Sequence, residues 1–150
     1  MLQDAFNKVY TKFKLNFYTK FFERAQEREA SLTTVETFCM EIIYSMNKPT
    51  INEFARSANI SSPNAAYKVN NLIKKGYLRK VQSENDKREF HLEATEKYVD
   101  YYNINYSYIG KVMKRMENRF TPDELKIIER ALVIMCDELM PEISFADEKQ

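Results

Sequence analysis

Residues 61–77 read SSPNAAYKVNNLIKKGY, and the fold turns on what this segment is. At 100° per residue Ala65, Ala66, Val69, Leu72 and Ile73 fall on one narrow stripe, while Asn64, Tyr67, Lys68, Asn71, Lys74 and Lys75 fall opposite. Ser62 is the expected N-cap and Pro63 the first helical residue, where a missing N–H costs nothing. Gly76 supplies the left-handed residue that stops the helix. The polar set has the chemistry of a major-groove reader. Asn pairs with adenine N6 and N7, Lys reaches guanine or phosphate, and Tyr touches a phosphate or a thymine methyl. Asn and Lys are equally common on solvated faces, so the wheel alone divides this face between DNA and water.

The flanking sequence supplies the context. Upstream, Thr50 and Glu53 have capping-box spacing and open a short helix, INEFARSA, with Ile51, Phe54, Ala55 and Ala58 facing inward; Asn59 and Ile60 then turn the chain. A short helix, a tight turn and a longer helix make a helix-turn-helix. Downstream, LRKVQSENDKREFHL reads as two strands, 78–83 and 88–92, around a turn at 84–87. Phe90 and Leu92 should pack down on the helices, leaving Lys87 and Arg88 near the projecting tip.

Helices surround this centre. From 4 to 29 there is neither Pro nor Gly, and Phe6, Tyr10, Phe13, Phe17 and Phe21 recur at helical steps, an aromatic face suited to core or subunit interface. Thr33 and Glu36 open a helix through Val35, Phe38, Cys39, Ile42, Ile43 and Met46, ended by Asn47, Lys48 and Pro49. A long helix from Thr95 to about Arg119 carries Tyr98, Tyr101, Tyr102 and Tyr108 on one side. Thr121, Pro122 and Glu124 open the last, 122–139, with Leu125, Ile128, Ala131, Leu132, Met135 and Leu139 at the helical period. The tail after Pro141 reads as loose. The fold class is mainly α with a small β-wing, a winged helix-turn-helix flanked by long helices. The expected organisation is a single domain over 1–150, with 1–30 and 95–140 as dimerisation helices and 33–93 as the winged unit.

Charge follows the same division. The chain carries a net +1, yet residues 46–92 hold nine basic and four acidic residues, a net of +5, whereas residues 93–150 net −4. Such a concentration is the footprint a polyanion needs. Cys39 and Cys136 lie outside any CxxC spacing and read as small core hydrophobes, and His91 is the only histidine, so no metal site is legible. His91 reads as a strand-surface residue. No paired carboxylates, nucleophile with base, or phosphate loop points to an enzyme, and no cofactor is expected. No run approaches about 18 uncharged apolar residues, and MLQDAFNKVYTKFK lacks the apolar core of a secretion signal. The expectation is a cytoplasmic protein without a membrane partner.

With these pieces in order, PTINEFARSANISSPNAAYKVNNLIKKGYLRK (49–80) followed by ENDKREFHLEATEK (84–97) resembles the multiple-antibiotic-resistance regulator (MarR) family of bacterial transcription factors, and the order of helices extends the likeness over nearly the whole chain. The resemblance implies a homodimeric repressor on a pseudo-palindromic double-stranded operator. It implies that Arg88 enters the minor groove while Asp86 holds its guanidinium. Asn64, Lys68 and Asn71 would then read bases beside Ser62 and Tyr67, and Lys68, Lys74, Lys75, Arg79, Lys80 and Lys87 would meet phosphates. It further implies a small-molecule effector in an aromatic cleft, for which Phe13, Phe17, Phe38, Tyr44, Tyr102 and Tyr106 are candidates. Two departures stand out: Tyr67 occupies a position where the family often has Arg, and the common Leu-Thr-x-x-Gly at the wing-to-helix junction is here Ala94-Thr95-Glu96-Lys97-Tyr98. The alternative reading is a winged-helix protein-interaction module without DNA specificity.

Overall fold

The structure, a computed structural model, describes residues 1–25 and 32–143. Its elements run α1 (Leu2–Ala25), α2 (Thr34–Ser45), α3 (Ile51–Ala58), α4 (Ser62–Lys74), β1 (Leu78–Gln82), β2 (Phe90–Ala94), α5 (Glu96–Arg119) and α6 (Pro122–Asp137). The stretch of the first helix expected beyond Ala25, and nearly all of the tail, lie outside the described residues. Contacts divide the chain into two compact units. One comprises residues 1–27 and 103–144, and the other is built on 28–102.

Local chemistry sets the helix starts. Thr33, Thr50 and Thr121 are N-caps in extended conformation, and each closes a reciprocal box with Glu36, Glu53 or Glu124. Glu124 is thereby held below the usual carboxylate range, because the Thr121 backbone N–H and then its hydroxyl donate to it. The cap of α4 corrects the sequence reading by one residue. Ser61 is extended and its hydroxyl accepts from Asn64 N at 3.3 Å, whereas Ser62 is already helical. At the far end Gly76 takes φ +82°, and at the α3 exit Asn59 takes φ 53°.

The second unit packs around Phe54, Ala65, Val69, Leu72, Leu78, Leu92 and Tyr98, joined by Met40 and Ile43 of α2. Of the apolar residues expected along α2, Cys39 and Ile43 enter this core, while Val35 and Phe38 remain exposed. Tyr98 is fully buried and satisfies its hydroxyl by donating to Glu41 Oε1 at 3.3 Å, as a buried phenol requires.

The wing pairs antiparallel from Leu78 opposite Ala94 to Gln82 opposite Phe90. Its strands are shorter at the tip than expected, because residues 83–89 form a longer turn closed by Ser83 N donating to Glu89 O at 2.8 Å. The expected packing of both Phe90 and Leu92 is half right: Leu92 is buried, but Phe90 lies past the edge of the helices and is 46% exposed. The base of the wing is stitched to the rest of the unit. Leu92 N donates to Pro49 O at 2.7 Å, and His91 Nδ1 donates to Lys48 O at 2.8 Å. To present those carbonyls the chain takes two successive left-handed residues, Asn47 (φ 51°) and Lys48 (φ 60°). At the other end Thr95 N donates to Tyr77 O, its hydroxyl donates to Gly76 O at 2.6 Å, and the Lys97 ammonium sits 4.5 Å from the Tyr77 ring centroid.

In the first unit, Phe13 packs edge-on against Tyr108 and Phe17 meets Tyr106. No residue of α6 is buried. Leu125, Ile128 and Met135 of its apolar period are half-buried, and Ala131, Leu132 and Leu139 are exposed. Cys136 is exposed as well, contrary to its reading as a core residue, since it belongs to this helix without buried residues. No helix among the described residues is long and apolar enough to cross a membrane.

A Cβ added at Gly76 would meet nothing closer than Lys97 Cδ at 3.9 Å, so the cost of Gly76→Ala is the left-handed backbone alone. It should lower unfolding free energy by about 1 kcal/mol, with Gly76→Asn costing less; urea titration measures both.

Candidate nucleic-acid interface

Burial of Ala65, Val69 and Leu72 fixes the rotation of α4 about its axis. Asn64, Tyr67, Asn70 and Lys74 are then exposed, Tyr67 to 67%, while Lys68, Asn71 and Lys75 are half-buried. The candidate face therefore includes Asn70, which the helical wheel left out, and its centre lies nearer Tyr67 than Asn71. A wheel assigns angles to ideal positions; neighbouring elements decide how far the covered sector extends.

Ion pairs sort the basic candidates. Lys75 Nζ donates to Glu36 Oε2 at 2.7 Å, joining the end of α4 to the capping box of α2. Burial raises the Glu36 carboxyl, but the Lys75 hydrogen bond, the Thr33 backbone N–H and the Lys75 charge together outweigh it and hold the group below its usual range. Arg79 donates to Glu93 Oε1 across the wing at 2.8 Å, with Lys48 Nζ on the same oxygen at 3.9 Å. The Glu93 carboxyl is lowered and the Arg79 guanidinium raised by that hydrogen bond. Lys74, Lys80 and Lys87 are exposed. The pairing of Glu36 with Lys75 and of Glu93 with Arg79 was not legible in the sequence, because the partners lie 39 and 14 residues apart and no local pattern links them.

The wing tip organises itself. Ser83 Oγ accepts from the N–H groups of Asn85 and Asp86, and Asp86 Oδ1 accepts from Arg88 N at 2.9 Å. The same Asp86 oxygen lies 3.6 Å from Arg88 Nε. Gln82 Nε2 donates to Lys87 O, closing the loop from the strand side. The Arg88 side chain is nevertheless 95% exposed. One carboxylate therefore holds the Arg88 backbone and lies beside a guanidinium that stands in solvent.

At the N-terminus of α4, Ser62 Oγ donates to Asn52 Oδ1 of α3 at 3.1 Å. Asn52 was absent from the sequence reading; its signal was an exposed position on the short helix, visible only once the two helices cross.

The aromatic candidates divide between the two units. Phe13, Phe17 and Tyr106 belong to the first. Phe38, Tyr44 and Tyr102 belong to the second, where Tyr44 and Tyr102 have ring centroids 4.6 Å apart and Phe38 is 51% exposed. Burial, the Glu41 charge and Tyr44 push the Tyr102 phenol up. A cavity of about 170 Å³ lies between Ile43 and Tyr44 of α2, Lys48, and Leu92 and Ala94 of the wing. Among the described residues no group of three or more His, Cys, Asp or Glu side chains is placed to hold a metal ion.

The Lys75–Glu36 pair carries a prediction. A carboxyl whose pKa is depressed on folding contributes stability that is present above its unfolded value, about 4.3, and lost as pH falls through the folded one. Lys75→Gln should cost about 1 kcal/mol or less at neutral pH and flatten the fall in stability below pH ~4.3. Thermal unfolding of both proteins from pH 7 downward measures the difference.

The sequence profile of the MarR family matches residues 32–90. No curated protein sequence matches the chain. Among solved structures, Streptococcus pneumoniae FabT in complex with DNA is 17% identical, with 95% of this chain and 100% of that one covered and a TM-score of 0.62. S. aureus MepR bound to ethidium bromide is 15% identical over 93% of this chain and 97% of its own, at 0.60. A MarR family protein from Bacillus stearothermophilus is 12% identical over 92% of each, at 0.64. At such identities the likeness to these structures is one of fold. The matched residues hold α2, the helix-turn-helix and the wing as far as Phe90, and over that stretch the chain is similar to the MarR family.

Proposed function

We propose that this chain is a sequence-specific regulator of double-stranded DNA, a repressor acting as a homodimer, with the whole chain working as one MarR-like domain. The observation that carries the reading is the pairing of an outward polar helix face with a wing tip whose backbone-held arginine extends into solvent beside Asp86. A planar guanidinium suits the narrow minor groove, and the first turns of α4 suit the adjacent major groove. Asn64, Tyr67, Lys68 and Asn71, with Asn70 added, face base edges and the phosphates beside them. Lys74, Lys80 and Lys87 meet phosphates directly, whereas Lys75 and Arg79 must first exchange a carboxylate for a phosphate. The FabT structure, solved in complex with DNA, supports DNA as the partner.

The apolar exposure of the first unit supports the dimer. Phe6, Val9, Tyr10 and Phe22 on α1, and Ile127, Leu132 and Val133 on α6, are all exposed in the single chain. A lone soluble chain rarely exposes so many large apolar groups. Two reading heads on one two-fold axis would engage half-sites about one helical turn apart. A flat aromatic effector would stack against Tyr44 and Tyr102 or against Phe17 and Tyr106, and MepR bound to ethidium supports a ligand of that shape.

Binding to duplexes selected from a random DNA pool tests this reading. Arg88→Ala should weaken binding by about 1–3 kcal/mol, and Lys74→Ala should reduce the salt slope by about one. Lys75→Gln should change that slope less than Lys74→Ala. Wild-type affinity in both Arg88→Ala and Lys74→Ala would overturn the reading and leave the protein-interaction module in its place. Sedimentation equilibrium should give a dimer, and Ile127→Glu should shift it toward monomer.

A further inference from the structure

Ser61 and Ser62 are neighbours with different duties. The Ser61 hydroxyl accepts from Asn64 N and caps α4. The Ser62 hydroxyl donates its proton to Asn52 Oδ1 at 3.1 Å, across the angle between α3 and α4. A serine hydroxyl has one donor and two acceptor lone pairs. With the donor committed to Asn52, Ser62 Oγ can only accept from whatever lies beyond the protein surface. The Asn52 carboxamide, its oxygen occupied, has an NH2 group with two donors of its own. Both side chains lie on the exposed side of the helix pair.

The consequence rests on the DNA-binding reading above. Residues at the start of the second helix of a helix-turn-helix are those that reach base edges. In the major groove adenine N6 and cytosine N4 are donors, whereas guanine and thymine present acceptors at O6, N7 and O4. A freely rotating hydroxyl would serve either kind. An acceptor-only hydroxyl distinguishes them.

We propose that Asn52 is a positioning residue that fixes Ser62 as a hydrogen-bond acceptor, so that the base facing Ser62 is adenine or cytosine in preference to guanine or thymine. Its own NH2 group donates to a neighbouring phosphate oxygen. Asn52 thus sets specificity at one base without touching that base.

Selection from a random duplex pool with the full-length protein and its Asn52→Ala, Asn52→Asp and Ser62→Ala variants tests this, with duplex titrations for affinity. Wild type should favour adenine or cytosine at one position of each half-site by about tenfold. Asn52→Ala should level that one position and leave the others as they are, and Ser62→Ala should level the same position, with the double variant losing no more. Asn52→Asp should retain the preference, because its carboxylate still accepts the Ser62 proton, while binding every duplex more weakly through loss of the phosphate donor. That retention separates a fixed hydroxyl from a merely structural contact. Unchanged preferences in Asn52→Ala, or changes at positions that Ser62→Ala leaves alone, would overturn the assignment. If Arg88→Ala still weakens binding in that case, only this inference falls; a wild-type chain with no sequence preference removes the DNA reading along with it.

Discussion

One face of α4 can be offered to a partner only because the other is locked, and the lock is the burial of Ala65, Val69 and Leu72 against Phe54 and the base of the wing. Two of these residues are small or β-branched, so the helix sits close and its rotation is sharply set by close packing. The helical part of the candidate interface refers to that rotation. It leaves Tyr67 and Asn70 outward, turns Lys75 to Glu36, and brings the Ser62 hydroxyl to Asn52.

The wing depends on the same core from its other side. Leu92 is its one fully buried residue besides Leu78, and the β2 backbone is held to Pro49 while Thr95 holds the Gly76 turn. These tethers lie at the base of the hairpin. The tip is organised separately, by Ser83 and Asp86 acting on their own loop. A tethered base with a self-ordered tip presents the Arg88 backbone at a set place without burying its side chain, which leaves the guanidinium open to meet a partner.

Basic residues in the 46–92 segment are numerous in sequence but unequal in the fold. Lys75 and Arg79 face carboxylates at 2.7 and 2.8 Å, so recruiting either to a phosphate first requires breaking an ion pair. Lys74, Lys80 and Lys87 stand in solvent. The pairs also do structural service, since Glu36 belongs at once to the cap of α2 and to the end of α4, and Glu93 joins Arg79 with Lys48. Charge counted along a sequence therefore overstates the cations open to a polyanion.

The sequence by itself determined whatever is settled within a few residues. The capping boxes at Thr33, Thr50 and Thr121 are contacts between positions three apart, and Gly76 answers a local demand for positive φ. In such cases covalent geometry alone brings the groups together, so spacing is enough to read them. The tertiary structure decided what depends on elements crossing. Glu36 with Lys75, Glu93 with Arg79 and Asn52 with Ser62 are separated by 39, 14 and 10 residues. Their meeting is set by how the helices and wing pack, which periodicity in one segment cannot express. The exposure of Phe90, Phe38 and Cys136 was hidden for the same reason: a sequence pattern shows which side of an element is apolar, and only the packed neighbours decide how much of that side they cover.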